Sequence, residues 1–272
     1  MSNYLTELFS LAGTTAVVTG GAGAIGTVMS DALLRAGANV LALSRTRQSL
    51  DTLLARYHDQ PELAARIAGM CVDCGSEDAV EEAYQEASSR FCAPEILVNG
   101  VGGNKGKSPF VDLDMATFNE VLSLNLGAGL VIPTKVFCRR WIAEAIPGSI
   151  INLTSMASYT PLSGVWAYDA AKAATLNLTM ATAGEFAPHG IRVNAIAPGF
   201  FLGKQNKHLL IDETSGGYTQ RGEAVIAHTP FKRFGEVMEL AGATVFLASR
   251  RASGFVTGVS IPVDGGYLIS NI

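Results

Sequence analysis

The stretch Ala16-Val17-Val18-Thr19-Gly20-Gly21-Ala22-Gly23-Ala24-Ile25-Gly26-Thr27-Val28-Met29 decides the fold. A short aliphatic run enters a cluster of glycines and leaves it as an amphipathic segment. Ile25, Val28, Met29, Ala32, Leu33 and Ala36 recur at helical spacing, and Gly37 ends the pattern. Gly21, Gly23 and Gly26 satisfy G-x-G-x-x-G between strand and helix. Glycines there let the backbone turn sharply and come close to a pyrophosphate, whose charge is met by the helix N-terminus. The pattern alone is weak in a chain with 29 glycines, but its place between a strand and a helix makes it a dinucleotide cradle.

Outward from this turn, short aliphatic runs recur at Val40–Leu43, Met70–Val72, Ile96–Val98, Ile150–Leu153, Arg192–Ile196 and Val259–Val263, each separated by helix-like segments. Continuous apolar strands alternating with helices predict a parallel sheet covered on both faces. The expected fold is α/β, a Rossmann-like doubly wound sheet of about seven strands. No linker, repeat or composition shift divides residues 1–272, so one domain is expected. The strand rhythm fails only over 199–235, where Gly203, Gly216, Gly217, Gly222 and Pro230 fall. A long irregular insertion in a compact domain predicts a lid or substrate loop.

Composition narrows the function. Of 272 residues, 48% are hydrophobic and 16% charged, which excludes a disordered chain. Twenty basic residues against 24 acidic ones give a net charge of −4. With no Lys/Arg run, neither nucleic acid nor an anionic membrane is an expected partner. The longest uncharged stretch, Ala145–Tyr168, carries two prolines and several polar side chains, which argues against a span. The N-terminus has no signal-peptide pattern, and a soluble cytoplasmic protein is expected. Cys71 and Cys74 form C-x-x-C, but no second pair or histidine set completes a tetrahedral site, so no metal is expected.

Leu43-Ser44-Arg45-Thr46-Arg47 follows the second run, with no acid before Asp51. A carboxylate there would bind the adenosine ribose hydroxyls and repel a 2′-phosphate. Arg45 instead offers a donor fork and Ser44 a hydroxyl, so NADP(H) is favoured over the alternative, NAD(H). Tyr168-Asp169-Ala170-Ala171-Lys172 places a phenol and an ammonium one helical turn apart. A phenol with a reference pKa of about 10 exchanges protons poorly at neutral pH, and a neighbouring cation lowers that value. The pair could serve as a general acid and base. Ser155 lies thirteen residues before Tyr168, just after a strand, where its hydroxyl could face the same substrate oxygen, with Thr154 as its rival.

These motifs together resemble the short-chain dehydrogenase/reductase family over essentially the whole chain. The glycine turn from Thr19 is similar to that family's T-G-x-x-x-G-x-G. Asn99-Gly100-Val101-Gly102 lies at its fourth-strand motif, Asn125, Ser155, Tyr168 and Lys172 at its active-site tetrad, and Arg192–Gly199 and Pro262–Gly266 at its late motifs. Ala24 and Gly100-Val101 depart from the family pattern without removing a catalytic group. The resemblance implies that Tyr168 gives a proton to a carbonyl oxygen, Ser155 polarises that carbonyl, Lys172 holds the nicotinamide ribose and lowers the Tyr168 pKa, and Asn125 anchors a relay water. It places Gly20, Gly23, Ala24, Ile25, Ser44, Arg45, Asp73, Cys74, Asn99, Gly100, Val101, Pro198 and Gly199 along the cofactor, with Tyr168 and Lys172. It also implies a homotetramer. The helix after Lys172, apolar nearly all round, fits such burial against another subunit.

The segments Asn99–Asn104, Ala197–Asn206 and Ala227–Gly235 are similar to the sugar-acid branch of that family, the fructuronate reductases (D-mannonate oxidoreductases). A keto sugar acid needs cationic and amide donors. Asn104, Lys105, Gln205 and Asn206, with Ser155, are the candidate substrate contacts, and Lys107, Lys204, Arg221 and His228 offer further donors. A reductase of another carbonyl (a ketoacyl thioester, a cyclic ketone or a polyol product) and a non-catalytic dinucleotide sensor are the alternatives. The intact tetrad speaks against the sensor.

Overall fold

All seven expected strands form. In the computed structural model, which describes residues 4–203, 210–212 and 216–270, they are β1 (Thr15–Thr19), β2 (Asn39–Ser44), β3 (Ile67–Cys71), β4 (Ile96–Asn99), β5 (Ser149–Leu153), β6 (Arg192–Pro198) and β7 (Ser260–Val263). They make one sheet in the order β3-β2-β1-β4-β5-β6-β7, with every neighbouring pair parallel. The helices between them are α1 (Tyr4–Phe9), α2 (Ala24–Arg35), α3 (Arg47–Ala55), α4 (Pro61–Ala64), α5 (Glu77–Arg90), α6 (Met115–Leu122), α7 (Ile132–Glu144) and α8 (Trp166–Phe186).

β1 is buried along its whole length because alternate side chains feed two cores. Ala16 and Val18 pack with Met29, Leu33 and Leu34 of α2 and Leu50 and Leu53 of α3. Val17 packs on the other face with Tyr84 of α5 and Phe137 and Trp141 of α7. A sheet covered on both sides is why its strands read as unbroken apolar runs. Strand order reverses between β1 and β4, and in such sheets the crevice at the carboxyl ends of those two strands receives the ligand.

β3 starts at Ile67, earlier than the run at Met70 predicts, because Gly69 breaks the apolar pattern while Leu50 packs against its face. The segment 199–235 is less irregular than expected. Within it, Gln220–His228 is helical, capped by the Thr219 hydroxyl, which accepts from the Gly222 amide at 3.1 Å. Leu210, Val225 and Phe234 form a small core of their own. Gly222 hides this helix from a periodicity reading, yet a Cβ there would collide with the Leu210 carbonyl.

α6 and α7 are joined through a π-helical stretch, Ser123–Val131, into one run, Met115–Glu144. By length and composition this helix could cross a membrane, but 56% of its apolar window is buried inside the fold. A π-helical turn commonly marks a functional position, and Asn125 sits in this one.

Candidate active site

The crevice between the carboxyl ends of β1 and β4 is a cleft of about 600 Å³. At Gly20 the backbone takes φ +64°, and a Cβ would lie 2.8 Å from the Gly100 carbonyl. Gly26, in the first turn of α2, faces the Gly20 carbonyl so closely that no side chain fits. Gly100 donates its amide to the buried Thr19 hydroxyl at 3.0 Å, and a Cβ on Gly100 would lie 2.5 Å from the Thr19 carbonyl. The turn after β1 and the loop after β4 are thus locked back to back. Gly23 and Ala24 stay exposed at the helix N-terminus, a cradle that fits a pyrophosphate.

The cleft wall includes Gly20, Gly23, Ala24, Ile25, Ser44, Arg45, Asp73, Cys74, Gly100, Val101, Pro198, Gly199, Ser155, Tyr168 and Lys172. All of these are among the residues that the family resemblance implies for the site. Asn99 is different. Its amide donates to Thr134 Oγ1 at 3.0 Å and Asn152 Oδ1 at 2.8 Å, and Asn152 donates onward to Thr179 Oγ1 at 2.9 Å. The Asn99 side chain therefore ties β4 to β5, α7 and α8 beneath the cleft and does not line its wall. The inward direction follows from strand alternation, which sends Leu97 and Asn99 to the same face.

Arg45 is exposed on the wall, and among the described residues it makes no hydrogen bond or ion pair. Asp51 is held by Arg47 at 2.8 Å and does not approach as a ribose-binding acid. Thr46 and Ser49, whose hydroxyls lie 2.7 Å apart, also line this corner. They extend the polar surface beside Arg45 and were not singled out from the sequence, although they follow directly on Ser44-Arg45. Burial pushes the Cys74 thiol up to about 12, and all four cysteines are unpaired. Among the described residues no cluster could hold a metal.

β5 and α8 bring the catalytic groups together. The Ser155 hydroxyl hydrogen-bonds the Tyr168 phenol, which favours the phenolate, while burial works against it and wins. The Tyr168 pKa is therefore raised from its ordinary value. Lys172 is buried, donates to the Leu153 carbonyl at 2.8 Å, and lies with Nζ 5.6 Å from the Tyr168 ring centroid. Burial brings the ammonium down to about 8. Burial is the largest influence on both groups, so the expected lowering of the phenol by Lys172 is not met in this state. Thr154 is no rival to Ser155. Its hydroxyl donates to the Ile196 carbonyl at 3.0 Å and meets Ser260 Oγ at 3.0 Å.

Asn125 uses its side chain within the protein. Nδ2 donates to the carbonyls of Gly103 at 2.7 Å and Val121 at 2.8 Å, and Oδ1 accepts from the Gly103 amide at 3.1 Å. It clamps the loop after β4 onto the π-helical stretch. A side chain on Gly102 would lie 2.7 Å from that Oδ1 and 3.4 Å from Lys172 Nζ.

The predicted substrate contacts fare less well. Asn104 turns back to the Gly106 carbonyl at 2.8 Å, and Lys105 is paired with Glu120 at 2.5 Å. Both line a small neighbouring hollow of about 170 Å³ beside Trp166, not the main cleft. A short loop fixed at Gly103 by Asn125 and at Ser108 by the Trp166 indole, 3.0 Å from the Ser108 carbonyl, sends the residues between outward. Lys204, Gln205 and Asn206 lie outside the described residues. His228 is exposed, with its ring 4.5 Å from that of Tyr267. Phe200 and Phe201, which the sequence reading did not select, form the cleft wall at this end.

Fold and site together define an oxidoreductase that moves hydride and proton across a carbonyl. A family model described as enoyl-(acyl carrier protein) reductase matches residues 20–268. The chain belongs to the short-chain dehydrogenase/reductase family. It is 40% identical over 274 residues to an uncharacterized oxidoreductase, UxuB, of Bacillus subtilis, covering 95% of this chain and 96% of that one. A Haemophilus influenza structure with bound NAD, provisionally assigned as a D-mannonate oxidoreductase, superposes with a TM-score of 0.89 at 31% identity, over 98% of this chain and 99% of that chain. A gluconate 5-dehydrogenase from Burkholderia cenocepacia, in complex with NADP and tartrate, superposes with a TM-score of 0.86 at 30% identity, over 98% and 100%.

Proposed function

We propose that this chain is an NADP(H)-preferring reductase of a keto sugar acid such as fructuronate. The observation that carries the reaction is the convergence of Ser155, Tyr168 and Lys172 at the far wall of a dinucleotide cleft. The nicotinamide, when bound, supplies or accepts the hydride. Tyr168 donates the proton to the substrate oxygen during reduction and takes it back during oxidation. Ser155 donates a hydrogen bond to the same oxygen and holds the carbonyl against the phenol. Lys172 leaves the Leu153 carbonyl for the nicotinamide ribose, where its charge supports the phenolate. Asn125 keeps Gly102 and Gly103 withdrawn, so that Lys172 has room to reach. Burial of Tyr168 keeps the phenol protonated at neutral pH, which suits reduction.

The cofactor preference is supported by Arg45, a guanidinium on the wall with no partner among the described residues and no carboxylate at the end of β2. The substrate class is supported by relatives named for gluconate and mannonate chemistry. Absorbance during NADPH oxidation on adding D-fructuronate, with NADH in parallel, tests both parts. Turnover with NADPH is expected. Turnover with NADH alone overturns the cofactor preference, and silence with both overturns the substrate.

A homotetramer acting in the cytosol completes the proposal. On the outer face of α8, Ala170, Ala173, Asn177, Met180, Ala181 and Gly184 are exposed in a single chain. Such a face of small and apolar residues suits close contact with a second subunit. A tetrameric mass by light scattering is expected, and a monomeric mass overturns it.

A further inference from the structure

A cavity of about 1090 Å³, larger than the cleft of about 600 Å³, lies at the opposite end of the sheet. It opens beneath the amino ends of β4, β5 and β6, on residues such as Glu95, Ser149 and Arg192. Arg192 is only 7% exposed and carries a full positive charge. Its guanidinium donates to Ser253 Oγ at 3.0 Å and the Leu247 carbonyl at 2.9 Å, both neutral acceptors. Among the described residues no carboxylate pairs with it, nor with Arg250 or Arg251 on the same wall. Breaking or lacking the counter-charge of a buried cation is costly.

The acids present do not fill the gap. Glu95 feels Arg250 but makes no ion pair, and burial holds its carboxyl above the ordinary range. Glu7 is exposed on α1 and meets Arg251 only through its backbone carbonyl, at 3.3 Å. Three guanidiniums thus face two carboxylates, and the deepest of the five charges is Arg192. Arg192 and Arg250 line the same cavity, and burial, with repulsion from Arg250, brings Arg192 down to about 10. The remaining wall mixes hydroxyls, among them Thr6, Ser10, Thr14 and Thr257, with aliphatic residues such as Leu11, Ile96 and Ile191, and the fully exposed ring of Phe255 stands at the rim.

We propose that this cavity binds a small organic acid, with its anionic oxygens between Arg192 and Arg250 and its short body along the mixed hydroxyl and aliphatic wall. Two guanidiniums without a carboxylate partner on one cavity wall become mutually compatible once an oxyanion bridges them, and the charge-assisted bonds are of the strong kind. The site lies across the sheet from Tyr168, and it does not depend on which substrate the front cleft takes.

Isothermal titration of hexanoate into the full chain, held at saturating nicotinamide cofactor, tests this, with hexanol as the uncharged probe. Hexanoate is expected to bind one to one and hexanol not to bind. Arg250 is exposed, so Arg250→Ala should fold normally. It is expected to weaken hexanoate about tenfold or more and to leave cofactor affinity unchanged. Arg192→Lys, which keeps the charge but loses the fork to Ser253 and Leu247, is expected to weaken hexanoate too, with a lower melting temperature. Arg45→Ala, at the front of the sheet, should leave hexanoate binding as it is. Hexanol binding as tightly as hexanoate, an Arg250→Ala variant that binds normally, or no heat from hexanoate at tens of millimolar each overturns the proposal.

Discussion

The turn after β1 and the segment after β6 face the same cleft and are built on opposite terms. The first is made of backbone: Gly20 needs its positive φ, Gly26 has no room for a Cβ, and Thr19 holds Gly100. The second is made of side chains: Phe200 and Phe201 on the wall, a small core of Leu210, Val225 and Phe234, and Tyr267 between Phe200 and His228. Dinucleotide recognition tolerates almost no change in geometry, whereas substrate recognition changes with each side chain. On the proposed reading the rigid half of the cleft carries the chemistry, and the side-chain half would select what it acts upon.

The strongest way to break that division is Tyr168→Phe. If the rigid half carries the chemistry, reduction falls by about 10²–10⁴-fold, while cofactor affinity, measured by fluorescence titration, stays within about a factor of two. Retained turnover would move the proton donor elsewhere. A second test concerns Lys172, whose burial is a folded-state cost. Its folded pKa, about 8, lies below its unfolded value of 10.5. Between those values the unfolded chain binds the extra proton, so this group adds stability as pH rises from 8 towards 10.5 and withdraws it as pH falls back. The difference amounts to about 3 kcal/mol. Lys172→Met is expected to be more stable than the parent at pH 7, with the gap closing by pH 10.5, in paired chemical denaturations.

Arg45→Ala sharpens the comparison at the cofactor's other end. The KM for NADPH is expected to rise about ten- to a hundredfold, and that for NADH to stay unchanged. Equal losses with both would make Arg45 a general contact and not a phosphate reader. The smallest effects come from two glycines in one loop. Gly100→Ala sets a methyl against the Thr19 carbonyl and should cost about 1–3 kcal/mol. Gly103→Ala meets nothing within 4 Å and should stay within about 0.5 kcal/mol in the same melts.

What could be read from the residues follows the same division. The cradle, the seven strands and the pairing of Tyr168 with Lys172 are legible because glycine geometry, apolar runs and helical spacing are local properties of the chain. The direction of the Asn99 side chain was not legible, because its position in a motif says nothing of which face of β4 it occupies, and the partners that claim it, Thr134 and Asn152, are distant in sequence. Lys105 reads as a substrate donor until Glu120, fifteen residues away, takes its charge. The helix Gln220–His228 escaped notice because its buried face is only Gly222 and Val225.

One feature of the sheet's outer edge has a consequence for the chain in crowded solution. β7 pairs with β6 on one side only, and its residues are mostly half-buried. The carbonyls of Val259 and Val263 accept from Ala195 at 2.8 Å and Gly199 at 2.9 Å, so these positions turn their backbone inward. Alternation turns the backbone of Pro262 outward. A strand arriving from another molecule would find no donor at that point, because proline has no amide hydrogen. The open edge thus carries its own interruption, and runaway strand-on-strand growth is blocked by a single imino acid.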